Sequence, residues 1–66
     1  MAWQITEAKR FVSVVLLDYN ADQVHIFKVP NTEDVSDEVE QWCEKHEIDI
    51  SDTEWMSTRN LNIEFH

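Results

Sequence analysis

The segment TEDVSDEVEQWCEKHEI, residues 32–48, decides the fold, because it alone is long and periodic enough to predict a helix. Val35, Val39, Trp42, Cys43 and His46 recur at spacings of four, three, one and three, which draws an apolar or amphipathic stripe along one side. Glu33, Asp34, Asp37, Glu38, Glu40, Gln41, Glu44, Lys45 and Glu47 take most of the other positions. Asn31 or Thr32 is expected to cap the first turn, and the early acids and late Lys45 suit the helix dipole. A one-faced helix of this kind must lie on something.

What it lies on is read from the flanking segments. In residues 11–19, Phe11, Ser13, Val15, Leu17 and Tyr19 alternate with Val12, Val14, Leu16 and Asp18. Both phases are apolar between Val12 and Leu17, which predicts a central strand buried on both faces. DYNAD, residues 18–22, reads as a turn in which Asn20 and Asp22 can take the left-handed conformation. Residues 23–29 return as a second strand, with His25, Phe27 and Val29 on one face and Val24, Ile26 and Lys28 on the other. Pro30 ends it, since proline has no donor for the ladder.

Beyond the helix, residues 49–54 form a polar connection and residues 55–65 are strand-like again. Leu61, Ile63 and Phe65 share a parity with Trp55 and Ser57, so residues 54–66 fit either one long bent strand or a hairpin turning at Thr58, Arg59 and Asn60. Residues 1–9, with Trp3 and Ile5 alternating with Gln4 and Thr6, suit a short edge strand or an arm against the sheet. The order strand, strand, helix, strand is solved by a right-handed crossover that lands the last strand beside the first, giving order 2-1-3. The expected fold is a single α+β domain over residues 1–66: ββαβ or ββαββ, a three- or four-stranded, mostly antiparallel sheet with one helix on one face. One helix about 10 Å across covers roughly two strands spaced about 4.8 Å apart. Either Val14 with Leu16, or Val15 with Leu17, is therefore left facing outward unless an arm or another chain covers it.

Composition narrows the function. A chain of 66 residues buries only about 60% of its extended surface, and its single cysteine, Cys43, rules out an internal disulfide or a four-cysteine zinc site as a supplement. Association is the remaining inexpensive source of stability. Fourteen acidic against five basic residues give a net charge of −9, which argues against nucleic acid and anionic lipid as partners. Glycine is absent, so a phosphate-binding loop, a dinucleotide fingerprint and a nucleophile elbow are excluded. No charged leader precedes an apolar run, and the longest aliphatic run is Val14, Val15, Leu16 and Leu17. Neither a signal peptide nor a membrane span is expected, and a lone thiol fits the cytoplasm.

Motifs that resemble chemical sites fail on their ligand counts. Cys43 and His46 have metal-ligand spacing, but no second close-spaced pair completes a zinc site. Asp18, Asn20 and Asp22 match half of a calcium loop, yet Gln23 stands where the turn glycine is needed and Val29 where the bidentate glutamate is needed. Cys43 sits late in the helix among Glu40, Glu44 and Glu47, which opposes a thiolate nucleophile. Neither an enzyme nor a cofactor is expected.

Three tryptophans are more aromatic surface than one small core easily hides. Trp42 belongs to the helical stripe, Trp55 to a strand entry, and Trp3 either covers a sheet face or meets a partner. The leading expectation is a non-catalytic interaction protein, self-associating as a homodimer through an apolar sheet face or edge, with Trp3, Val14, Leu16, Val24 and Ile26 as the candidate interface. The alternative is an acidic inhibitor or nucleic-acid mimic that binds a basic protein through Asp34, Glu38, Glu40 and Glu44.

Overall fold

The structure, a computed structural model, describes residues 10–66. Strand β1 spans Phe11–Asp18 and strand β2 Gln23–Pro30; helix α1 runs Val35–Lys45; a 3-10 turn at Ile50–Asp52 leads into strand β3, Thr53–Thr58. The sheet order is β2-β1-β3, with β1 antiparallel to both neighbours. This is the expected ββαβ order of a small α+β domain, with the Phe11 strand in the centre. Residues 59–66 form no strand, so β3 is neither the long bent strand nor the hairpin that the alternation allowed. Residues 1–9, and with them Trp3, lie outside the described residues.

The hairpin of β1 and β2 closes on the pair Asp18 and Gln23, around a turn built by one carboxylate. Asp18 Oδ1 accepts hydrogen bonds from the amides of Asn20 at 3.1 Å and Ala21 at 3.3 Å, which is why an acid is tolerated almost buried at the strand end. Asp22 takes the left-handed conformation, with φ of 53°, where a glycine would be unstrained.

Helix α1 starts later than the acidic run suggests. The amide of Asn31 donates to the carbonyl of Arg10, which ties the chain to the sheet through residue 31, and that of Thr32 donates to Pro30 in a tight turn that delays the helix. Asp34, rather than Asn31 or Thr32, is the N-cap; its Oδ1 accepts from the Asp37 amide at 3.2 Å and from the Ser36 hydroxyl. At the other end, Ile48 donates to the Cys43 carbonyl at 2.8 Å and Glu47 to that of Glu44 at 3.2 Å, a Schellman closure. Its left-handed position is filled by Glu47, with φ of 58°.

The core lies between the helix and one face of the sheet. Val12, Val14, Leu16 and Val29 from the sheet meet Val39 and Cys43 from α1, with Phe27, Val35, Trp42, Ile48, Ile50 and Trp55 packed around them. Trp42 stacks on Phe27 with ring centroids 3.7 Å apart and planes 3° from parallel, and His46 lies 4.1 Å from its ring. Trp42 therefore spends its aromatic area inside the fold. No helix among the described residues is long and apolar enough to cross a membrane.

Candidate functional site

The pairing register determines what the second face of the sheet carries. Val14 pairs with Phe27 and Leu16 with His25, while Val15 pairs with Ile26 and Leu17 with Val24. Partners in an antiparallel ladder point to the same side. The expected interface set is thus divided: Val14 and Leu16 are 0% exposed beneath α1, whereas Val24 and Ile26 stand on the opposite face, 60% and 50% exposed. Placing all four on one surface is corrected by this parity. Their companions on the open face are Val15 and Leu17 from β1 and Met56 from β3.

Read across the strands, the open face has three rows. Met56, Val15 and Ile26 make the middle one; Glu54, Leu17 and Val24 lie on one side of it, and Thr58, Ser13 and Lys28 on the other. After Thr58 the chain bends at Arg59 and Asn60, and the segment Leu61, Asn62, Ile63, Glu64 and Phe65 turns back over this surface. Together with Val15, Val24, Ile26 and Met56 it lines a mostly apolar cleft of about 530 Å³. A smaller groove of about 240 Å³, lined by Val15, Leu17, Glu54, Trp55 and Met56, continues it along β1 and β3.

The returning segment is a loose cover. Its only hydrogen bond with another described residue is internal, from Asn62 Nδ2 to Glu64 Oε2 at 3.4 Å. Ile63 remains half exposed and Phe65 is 93% exposed. Alternating apolar residues that pair with no strand, over a face that keeps Val24, Ile26 and Met56 in water, leave a contiguous hydrophobic surface of the kind that marks a contact site.

The candidate acidic residues behave differently from one another. Asp34 is committed to the cap, and its carboxyl is held below the usual carboxylate range, first by the Ser36 hydroxyl and then by the Asp37 amide. Glu38 is half-buried, while Glu40 and Glu44 are exposed and rim a cleft of about 370 Å³ floored by Cys43, Ile48 and Ile50. On a helix turning about 100° per residue, Glu38, Glu40 and Glu44 fall on the half of α1 that faces away from the apolar stripe, and Asp34 caps its start on the same side.

Beneath the helix, burial pushes the Cys43 thiol up, with a further contribution from the charge of Asp18. His25 Nε2 is buried 4.0 Å from Asp18 Oδ2, without a hydrogen-bond partner among the described residues. On the exposed side, the Tyr19 hydroxyl donates to Glu54 Oε1 at 2.9 Å, and that bond raises the phenol above its ordinary value. Among the described residues, no group of three or more His, Cys, Asp and Glu is placed to hold a metal ion.

Sequence reasoning put Val24, Ile26 and Lys28 on one strand face but did not join Met56, Glu54 and the returning segment to it as parts of one surface. The signal was the hairpin loop: once Asp18 closes on Gln23, Val24 and Ile26 must share a face with Leu17 and Val15. In comparisons with known proteins, no family model, no curated protein and no solved structure matches this chain.

Proposed function

We propose that this protein is a non-catalytic interaction module of the cytoplasm that self-associates through the open face of its sheet. One observation carries the reading: the face opposite α1 bears Val15, Leu17, Val24, Ile26 and Met56 in adjoining rows, and among the described residues its cover is a segment with no hydrogen bond to the sheet. Association supplies what a chain of 66 residues lacks, namely further apolar surface to bury. The charge of −9 falls mainly elsewhere, so two copies repel at long range yet meet on a nearly uncharged patch.

Light scattering behind gel filtration tests the reading. The expected result is a dimer mass at tens to hundreds of micromolar, with association strengthened as salt screens the repulsion between acidic copies. A monomer throughout that range would refute it.

A second reading, binding of a basic protein, draws on the exposed Glu40, Glu44 and Asp49 around the cleft at the end of α1. It predicts the opposite salt dependence, with affinity that falls as salt rises.

A further inference from the structure

We infer that His25 is a proton-operated latch: on taking a proton its Nε2 donates to Asp18 Oδ2, and this bond tightens the hairpin end of the sheet against α1 in mildly acidic solution. The inference is independent of the self-association reading.

Geometry carries it. His25 Nε2 is buried, has no hydrogen-bond partner among the described residues, and stands 4.0 Å from Asp18 Oδ2. That separation is about 1 Å more than a charge-assisted hydrogen bond spans. Asp18 is 8% exposed, and its Oδ1 alone holds the turn amides of Asn20 and Ala21. Oδ2 accepts no hydrogen bond among the described residues. A neutral imidazole thus leaves a nitrogen and a carboxylate oxygen unpaired side by side, and a cationic one adds the attraction that closes the gap. Burial opposes a charged imidazole, but 27% of the His25 side chain stays exposed, so the cation keeps part of its hydration while it faces a carboxylate.

His25 also joins the two layers. Its ring lies 5.6 Å from that of Trp42, which stacks on Phe27 and meets His46 at 4.1 Å. On β2, Gln23 and Phe27 share its face and carry no charge; its partner on β1 is Leu16, and Trp55 follows on β3. Lys28 and Glu54 belong to the opposite face. From α1 the titratable groups are Cys43, whose thiol feels the charge of Asp18, and His46 beyond Trp42, with exposed Lys45 and Glu47 beside it. The acids of the adjoining turns are Asp22, which is exposed, and Asp52, whose Oδ2 accepts from Asn20 Nδ2 at 2.8 Å. Asp18 is therefore the carboxylate that a proton on His25 meets.

The latch has a sign. A proton held more firmly by the folded than by the unfolded chain stabilises the fold as pH falls through the ordinary histidine range, about 6.5, and that stability is lost again as pH rises. The capping carboxyls of Asp34 and Asp49 act in the opposite direction, because their contribution is lost in acid. The two effects are therefore separable in one pH series.

Thermal melting of the full chain, followed by circular dichroism, tests it with His25→Gln, Asp18→Asn and the two combined. Asp18→Asn keeps the oxygen that the Asn20 and Ala21 amides use and removes the charge. Between about pH 8 and about pH 5.5 the melting point of the wild type is expected to gain about 5 °C on that of His25→Gln. In the Asp18→Asn background, His25→Gln is expected to make no pH-dependent difference. His46→Gln removes the other imidazole beside Trp42 and is expected to leave the His25 gap in place. A gap that stays constant over this range, that narrows in acid, or that persists in the Asp18→Asn background overturns the latch. Where His25→Gln fails to fold, an NMR titration of the His25 ring in the wild type decides. Its midpoint is expected to move to lower pH in Asp18→Asn, and an unmoved midpoint overturns the inference.

Discussion

At the scale of single residues, the fold depends on a few positions that can be separated by experiment. Leu16 is fully buried where the sheet meets α1, and Leu16→Ala should cost about 2–5 kcal/mol, through lost transfer energy and a residual cavity. A domain of 66 residues has only about 3–10 kcal/mol in total, so a large unfolded fraction at 25 °C is the expected outcome of a denaturant titration. Glu47 occupies the left-handed site that closes α1, and Glu47→Gly should raise stability by about 1 kcal/mol in the same titration, because glycine takes that conformation without a Cβ clash. Cys43 is 1% exposed with its thiol pushed up by burial, so its reaction with a thiol reagent at neutral pH should follow unfolding rather than the thiolate population of the native state.

Elements are fixed by caps and register, and here pH becomes a probe. The carboxyls of Asp34 and Asp49 are both depressed in the folded chain, each mainly by a serine hydroxyl and a backbone amide at the start of a helical turn. A depressed carboxyl stabilises the fold above its unfolded value, and that contribution is lost as pH falls through the lower folded value. Asp34→Ala should therefore lower the thermal midpoint at pH 7, and the gap to the wild type should close below pH 4 in a melting series.

The elements were largely legible in the sequence, and the misreadings have physical causes. Alternation in residues 11–18 and the stripe from Val35 to His46 place the central strand and the helix, because burial sets both periods. The helix start was read two or three residues early. A bond from the Asn31 amide to the Arg10 carbonyl holds that chain against the sheet and a tight turn from Thr32 to Pro30 follows it, and such bonds leave no mark in composition. Leu61, Ile63 and Phe65 alternate like a strand yet pair with none, since alternation reports a one-sided apolar surface and not the hydrogen bonds that make a ladder. Of the candidate site, Val24 and Ile26 were legible together with Lys28 on their own strand, but their companions on the neighbouring strands were not, because face membership across a hairpin depends on which residues close its turn.

For the whole molecule, the helix and the returning segment divide the sheet unequally. One face is sealed by Val39, Cys43 and Trp42, and the other is roofed by residues whose most apolar member, Phe65, points into solvent. If that segment were merely an internal lid, its deletion would strengthen association by baring the sheet. As part of the seam its deletion should weaken the dimer, and sedimentation of a chain lacking residues 61–66 distinguishes the two. The central claim is that the open face, and not the helix, is the contact surface. It is tested most directly by comparing the masses of wild type, Ile26→Asp and Glu40→Lys by light scattering at equal concentration. The account predicts a dimer for the wild type and for Glu40→Lys, and a folded monomer for Ile26→Asp. An Ile26→Asp chain that remains dimeric would contradict it.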